Sequence, residues 1–178
     1  MYIYVIRHGQ TDWNKNKKLL SRTDLSLNDE GRKQCENAEE IVKNLDYDLV
    51  ISSPKKRAME TADIINTKDK EVIIDNNIIE RDAGDLEGIN VEDFDYQGYW
   101  NIKRDGEFGT AETIESCKDR IYKTLDKLKA EFNDKNILIV THNGICRIIH
   151  TYFNGFPRKG NIYDYGVNNA EIKIYEIK

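Results

Sequence analysis

Residues 2–6 read YIYVI, a mostly apolar run that leads directly into Arg7, His8 and Gly9. Short runs rich in Val and Ile are typical of strands that are buried on both faces of a parallel sheet. A strand that ends on a cation and an imidazole brings reactive groups to one edge of that sheet. Both the fold and the chemistry therefore depend on which other strands of the chain end in the same way.

Further strand-like runs follow along the chain and are separated by helical patterns. They are YDLVIS (47–52), EVIID (71–75), NILIVT (136–141) and EIKIYEI (171–177). The last of these alternates apolar and polar residues, which predicts an edge strand. Strands that alternate with helices indicate a sheet with helices on both faces. The sequence therefore predicts a three-layer α/β/α fold with a mostly parallel central sheet.

The helices are predicted from apolar side chains that recur at helical spacing. The predicted helices are 28–45, 54–66, 112–132 and a shorter one after Gly144. Ser26 and Asp29 suit a capping box at the start of the first helix. For the second helix we expect Ser53 as the N-cap and Pro54 as the first residue, where a missing N–H costs nothing.

Size and composition restrict the class of protein. A chain of 178 residues fits one domain, residues 1–178, and its formal net charge of −5 argues against nucleic acid as the main partner. No apolar run approaches the roughly 20 residues that span a membrane. The three cysteines are scattered and no signal peptide is visible, so we expect reduced thiols in a cytoplasmic protein. Residues 85–110 are polar and aromatic, and we expect them to form a small lid outside the sheet.

The candidate site lies beyond the carboxyl ends of the strands, where open α/β sheets bind ligands. After the first four predicted strands the chain places cations, imidazoles, an amide and a carboxyl group. These candidates are Arg7, His8, Thr11 and Asn14, then Ser53 and Arg57, then Glu80, and finally His142 and Asn143.

Such a set of side chains suits a phosphoryl group. Arg7 and Arg57 can each present a planar fork of donors to phosphate oxygens, and Asn14 or the N–H groups of Gly9 and Asn143 add neutral donors. A neutral imidazole can attack phosphorus and form a covalent intermediate. A second imidazole, held protonated beside the anion, can stabilise the charge of the transferring group.

The motifs RHGQT (7–11) followed by DWN, SSPKKRAMETA (52–62), E-x-x-x-G-x-x-E-G (80–88) and VTHNG (140–144) resemble the histidine phosphatase superfamily, in its phosphoglycerate-mutase-like branch. Each motif alone is weak, but together they stand in the expected order and cover most of the chain.

The resemblance implies a role for each matching residue. His8 matches the histidine that becomes phosphorylated, and Glu80 matches the proton donor. Arg7, Arg57 and His142 match the rest of the phosphate site, and Asn14 matches a further phosphate contact. The family needs no metal or other cofactor for this chemistry. Thr11, Asn143 and Ser21 are additional candidates for substrate binding, Ser21 on the side of the leaving group.

Two alternatives concern individual residues. Asp82, Asp85 and Glu87 lie close to Glu80 in the chain, and each could take the role of the acid. His142 and Cys146 stand four residues apart, but no further ligands occur at recognisable spacing, so we reject a zinc site.

A phosphatase and a mutase would use the same phosphate site. The motif ERDAG (80–84) stands where glycolytic mutases of the family typically read E-R-H-Y-G. Residues 85–109 hold seven acidic and two basic residues, which should repel a bisphosphorylated acid, although Lys15, Lys17 and Lys18 oppose this. We therefore expect a metal-independent phosphomonoesterase that acts on a small phosphorylated metabolite. A phosphoglycerate mutase and a non-catalytic phosphate-binding module remain as alternatives.

Overall fold

A five-stranded sheet forms the centre of the computed structural model, which describes residues 1–177. Its strands are β1 (Tyr2–Arg7), β2 (Leu49–Ser52), β3 (Val72–Ile74), β4 (Ile137–Thr141) and β5 (Ile172–Glu176). The order across the sheet is β3-β2-β4-β1-β5. β5 runs antiparallel to β1, whereas the other neighbours are parallel. The predicted mostly parallel sheet and the predicted edge position of the last strand are both confirmed.

Helices and short 3₁₀ turns connect the strands. The helices are α1 (Asp12–Lys15), α2 (Asp29–Val42), α3 (Lys56–Ile65), α4 (Tyr96–Tyr99), α5 (Ile114–Glu131) and α6 (Asn143–Asn154). The 3₁₀ turns are Asn76–Ile78, Gly84–Leu86, Ile102–Arg104 and Tyr163–Tyr165. None of the helices within residues 1–177 is long and apolar enough to cross a membrane.

The helices cover both faces of the sheet, so the fold has the three predicted layers. Side chains of a strand alternate between the two faces, and β1 shows this clearly. Ile3 and Val5 pack with the apolar residues of α5 and α6, whereas Tyr4 and Ile6 pack with those of α2 and α3. Two separate apolar cores result, one on each side of the sheet.

Two predicted helix starts are wrong. α2 has Asn28 as its N-cap, because the Asn28 side chain accepts the N–H of Gly31 at 2.8 Å, so the expected capping box of Ser26 and Asp29 is not used. α3 begins only at Lys56. The Ser53 hydroxyl, expected as the cap of that helix, lies instead 2.7 Å from the imidazole of His142.

The parallel pairing of β1, β4 and β2 brings their carboxyl ends to one edge of the sheet. Arg7 pairs with Thr141 at this edge, and the N–H of His8 donates to the carbonyl of Thr141 at 2.9 Å. The Thr141 hydroxyl donates to the carbonyl of Ile78 at 2.8 Å. This bond ties the segment that leads to Glu80 to the end of β4.

The segment 85–110 lies outside the sheet, as predicted, and it is well packed. Tyr99 and Trp100 are buried, and Tyr99 contacts Phe94, Tyr96 and Phe108 edge to face or stacked. Aromatic pairs in these geometries stabilise beyond their buried area alone. The segment packs as a wall beside the edge where the three strand ends meet.

Candidate active site

A cavity of about 290 Å³ opens at the carboxyl edge of the sheet. Five of the predicted site residues line it: Arg7, His8, Asn14, Glu80 and Asn143. Tyr96, Tyr99 and Trp100 of the segment 85–110 form part of its wall. The position agrees with the rule for open α/β sheets.

His8 has one ring nitrogen bonded and one free for chemistry. Its Nδ1 lies 2.7 Å from the carbonyl oxygen of Gly9. A carbonyl can only accept, so Nδ1 carries the proton and Nε2 keeps its lone pair. Burial lowers the pKa of His8 well below its ordinary value of 6.5, and the charges of Arg57 and Arg7 lower it further. His8 is therefore a neutral imidazole whose Nε2 carries a free lone pair.

Gly9 is held by a hydroxyl that sequence reasoning did not single out. The N–H of Gly9 donates to Oγ1 of Thr61 at 3.1 Å, and Thr61 donates to the carbonyl of Arg57 at 2.7 Å. A Cβ on Gly9 would lie 2.5 Å from the carbonyl oxygen of Gly31 and 2.7 Å from Sγ of Cys35. Only glycine fits here, and Thr61 links the loop after β1 to the start of α3.

Arg57 and His142 form a fully buried pair behind the cavity wall. The Arg57 side chain donates from Nε to Nδ1 of His142 at 3.3 Å, and from its two terminal nitrogens to the carbonyls of Thr23 and Ser21 at 2.9 and 2.8 Å. Burial lowers the pKa of Arg57 to about 10, which leaves it a cation at neutral pH.

His142 is neutral in these surroundings. Because the guanidinium of Arg57 can only donate, Nδ1 of His142 must accept, and the proton lies on Nε2, 2.7 Å from the Ser53 hydroxyl. Burial lowers the pKa of His142 well below 6.5, and Arg57 lowers it further. His142 thus offers a neutral N–H donor at Nε2, and its expected protonation beside a bound anion stays a prediction. Its ring centroid lies 5.2 Å from that of His8.

Arg7 presents a buried donor that no residue satisfies. One terminal nitrogen donates to the carbonyl of Val167 at 2.7 Å, whereas the buried Nε has no partner among residues 1–177. Burial also lowers the pKa of this guanidinium. A buried donor without a partner costs free energy, so an anion at this point of the cavity would satisfy it.

Glu80 lines the cavity, unlike the three other carboxyl groups that lie close to it in the chain. Its two oxygens accept the N–H groups of Arg81 at 2.8 Å and Gly144 at 3.1 Å. A Cβ on Gly144 would lie 2.4 Å from Oε1 of Glu80 and 2.6 Å from the Trp100 ring. The glycine therefore leaves room for the carboxyl group that is predicted to act as the acid.

The three rival carboxyl groups lie elsewhere. Glu87 accepts the N–H groups of Ser21 and Thr23 at 3.2 and 2.6 Å. Asp82 pairs with Arg22 at 3.4 Å, and Asp85 is exposed. None of the three lines the cavity.

The amide of Asn14 has its oxygen fixed and its nitrogen free. Oδ1 accepts the N–H and the hydroxyl of Thr11 at 3.1 and 3.0 Å, and Thr11 caps α1. Among residues 1–177, nothing accepts from Nδ2 of Asn14, which belongs to the cavity wall. Thr11 itself is fully buried and supports Asn14 from behind.

Ser21 and Asn143 differ in their access to the cavity. Ser21 is buried and does not line it. The Ser21 carbonyl holds Arg57, and its hydroxyl accepts the N–H of Ala83 at 3.0 Å. Asn143 lines the cavity, and its Oδ1 accepts the N–H of Val167 at 2.9 Å. Ser21 is thus placed as a support of the site.

The acidic residues of 85–109 do not line the cavity. The expectation that their negative charge repels a bisphosphorylated substrate therefore loses its basis. Glu92 pairs with Lys17, and Asp95 and Glu107 pair with Arg104. Asp105 accepts two N–H groups at the start of α5. The charged side chains that do line the cavity besides Glu80 are cations: Arg7, Lys17, Lys18 and Arg81.

The segment 166–171 contributes to the site although sequence reasoning did not include it. Asn169 lines the cavity, and its Nδ2 donates to the carbonyl of His8 at 3.0 Å. The segment precedes β5, which is antiparallel to β1, so the start of β5 lies beside the end of β1. A search at the amino end of the predicted edge strand would have found it.

Comparison with known proteins gives one family. The chain matches the model of the histidine phosphatase superfamily (branch 1) over residues 3–178. It is 35% identical to the uncharacterized phosphatase PhoE of Bacillus subtilis (strain 168), over 86% of this chain and 77% of that protein. It is 28% identical to the metal-independent phosphoserine phosphatase of Arabidopsis thaliana, over 96% of this chain and 76% of that protein.

A solved structure shows the same architecture. The phosphoserine phosphatase from Entamoeba histolytica, in complex with 3-phosphoglyceric acid, superposes with a TM-score of 0.84 at 25% identity. The match covers 97% of this chain and 89% of that one.

Proposed function

The chain belongs to branch 1 of the histidine phosphatase superfamily and is a phosphatase; we propose that it hydrolyses phosphate monoesters through a phosphohistidine at His8. One observation carries this proposal: His8, which is neutral with a free Nε2, and Arg7, whose buried Nε has no partner among residues 1–177, line the same cavity. A nucleophile and an unsatisfied cationic donor at one cavity suit attack on a phosphoryl group.

In the first step, Nε2 of His8 attacks phosphorus while the bond from phosphorus to the ester oxygen breaks. Glu80, as the carboxylic acid, gives its proton to the leaving oxygen, and the phosphoryl group stays on His8. Donors from Arg7 and Asn14, which line the cavity, bind the oxygens of the transferring group, and His142 supports His8 from behind the cavity wall. Their preorganised N–H groups stabilise charge where it develops, without a metal ion.

In the second step, water attacks the phosphorus of phospho-His8. The Glu80 carboxylate accepts a proton from this water, and the nitrogen–phosphorus bond breaks with its electron pair returning to Nε2. Inorganic phosphate leaves, and both His8 and Glu80 are restored to their starting forms. One carboxyl group thus serves as acid and then as base.

The size of the cavity favours a small substrate. Its volume of about 290 Å³ lies at the lower end of the roughly 300–1,000 Å³ that is common for ligand sites. A small phosphorylated metabolite fits this volume better than a folded phosphoprotein. Phosphoserine and 3-phosphoglycerate belong in the first test, because related proteins are named for one and bound to the other.

A mutase remains the second candidate because of the cationic wall. Lys17, Lys18 and Arg81 line the cavity, and such a wall favours a substrate with a second anionic group. A mutase would return the phosphoryl group of His8 to another hydroxyl of the retained substrate.

The test is phosphate release from a panel of phosphate esters, with a chelator present and no metal added. The matched control is His150→Ala, because His150 lies outside the cavity and contacts Tyr175 at 3.1 Å. We expect release by the wild type and by His150→Ala, and none by His8→Ala. Conversion of 3-phosphoglycerate to 2-phosphoglycerate with 2,3-bisphosphoglycerate, without release, would favour the mutase. If the protein shows neither activity, the non-catalytic phosphate-binding module is the remaining interpretation.

A further inference from the structure

We propose that Asn169 is a positioning residue of the phosphate site, which holds the backbone of His8 and aims the amide nitrogen of Asn14 at the bound phosphate. The proposal rests on the proposed function, because it requires phosphate to bind beside His8. It adds a residue from the segment before β5 to a site otherwise built from the ends of the parallel strands.

The orientation of the Asn169 amide follows from its partners. Its Nδ2 lies 3.0 Å from the carbonyl oxygen of His8 and 3.4 Å from Oδ1 of Asn14. The His8 carbonyl can only accept, so the atom that faces it must be the nitrogen of the amide. The two N–H bonds of Asn169 thus reach the nucleophile's own backbone and the neighbouring phosphate contact.

The orientation of the Asn14 amide follows in the same way. The N–H of Thr11 can only donate, and it lies 3.1 Å from Oδ1 of Asn14. Besides the N–H and the hydroxyl of Thr11, Asn169 adds a third donor on this oxygen from a part of the chain 155 residues away. With Oδ1 held on both sides, the free Nδ2 of Asn14 is turned toward the cavity that Asn14 lines.

The backbone of the segment holds Asn169 in place independently of its side chain. The N–H of Ala170 donates to the carbonyl of Arg7 at 3.0 Å, and the N–H of Arg7 donates to the carbonyl of Glu171 at 3.3 Å. Ala170 adopts a left-handed conformation with φ of 56°. A substitution at Asn169 therefore removes the side-chain contacts while these backbone bonds remain.

The experiment measures binding of inorganic phosphate by calorimetry, which does not depend on turnover. The variants are Asn169→Ala, Asn14→Ala and the double variant. The matched control is Asn168→Ala, since Asn168 is exposed and its side chain bonds only to Glu171 among residues 1–177. We expect Asn169→Ala to weaken phosphate binding about 5- to 10-fold, as the loss of a hydrogen-bonded group would, with Asn168→Ala unchanged.

The double variant separates positioning from a direct or global effect. If Asn169 acts through Asn14, the double variant binds phosphate within about 2-fold of Asn14→Ala, because coupled residues are not additive. Full additivity of the two losses, or wild-type binding by Asn169→Ala, would overturn the proposal.

Two further measurements decide the role of Asn169 if a variant does not fold or if the wild type shows no activity. If Asn169→Ala does not fold, the isosteric Asn169→Asp must show the loss, since it places an acceptor where both neighbours require a donor. Wild-type protein that binds phosphate but hydrolyses no ester would contradict the proposed function and still decide the role of Asn169. Wild-type protein that binds no phosphate would overturn both.

Discussion

Nε of Arg57 lies 3.3 Å from Nδ1 of His142, and this contact places the single proton of His142 on Nε2. The same guanidinium lowers the pKa of His8 and of His142, second only to burial in both cases. Burial and this one buried cation together keep the proposed nucleophile unprotonated, and the cation also fixes its neighbour in the donor tautomer. The pH dependence of the enzyme should therefore respond to Arg57.

Replacing Arg57 by Gln should move the acidic limb of kcat/KM to higher pH. Removal of a nearby positive charge favours the protonated imidazole, so the pKa of His8 rises toward its ordinary value. The wild-type limb should lie well below pH 6.5. The measurement is a pH profile of kcat/KM for both proteins, and an unmoved limb in the variant would contradict the electrostatic role of Arg57.

Stability should fall as the pH drops below about 6.5. In the unfolded chain His8 and His142 bind protons near this pH, whereas their pKa values in the folded protein are lower. The unfolded state therefore takes up more protons, and each histidine costs up to about 1.4 kcal/mol per pH unit across this window.

Urea unfolding between pH 6.5 and pH 5 tests this dependence. The variant His8→Gln/His142→Gln removes both titrating groups, so its free energy of unfolding should fall less steeply over that range. Equal slopes for the wild type and the variant would show that other groups cause the dependence.

Glu80→Gln should slow hydrolysis of alkyl phosphates by about 10²- to 10³-fold, within the usual contribution of a general acid. Aryl phosphates should lose far less, because their leaving oxygen needs little protonation. The measurement is kcat for one ester of each kind, with Asp85→Asn as the control at an exposed carboxyl outside the cavity. Equal losses on both esters would remove Glu80 from the role of acid.

Gly144→Ala should reproduce part of this pattern without replacing a titratable residue. Its new Cβ would overlap Oε1 of Glu80 and the ring of Trp100, so the carboxyl group must move. We expect the alkyl esters to lose more activity than the aryl esters, with a destabilisation of about 1–3 kcal/mol.

Gly155→Ala is the control for a loss of stability without a change at the site. Thermal unfolding and kcat are measured for both glycine variants. Its Cβ meets open space, but its φ of 75° strains any other residue. This variant should lose stability and keep its activity on both esters. Equal activity losses in the two glycine variants would show that the effect at Gly144 is not local to Glu80.

The residues at the carboxyl ends of parallel strands could be predicted from the sequence. Arg7, His8 and His142 lie where apolar runs end, and parallel strands bring such ends together. Glu80 was predicted from its motif with three rivals, and the structure separates it from them because only its carboxyl group faces the cavity. Its assignment as the acid remains a prediction.

Other parts of the site depend on contacts that no local pattern records. The Ser53 hydroxyl was predicted to cap α3, but its partner, His142, lies 89 residues away. Thr61 contacts Gly9 across 52 residues of the chain, and Asn169 contacts His8 across 161. The charged residues of 85–109 could be counted from the sequence. Their ion pairs, and the fact that their side chains do not line the cavity, could be read only from the folded structure.

The most direct test of the central claim is detection of the phosphohistidine itself. Wild-type protein would be mixed with a rapidly hydrolysed aryl phosphate, quenched under alkaline conditions and analysed by peptide mass spectrometry, with His8→Ala treated in parallel. We expect a phosphoryl group on His8 during turnover, and neither label nor phosphate release in the variant. Undiminished phosphate release by His8→Ala would contradict it.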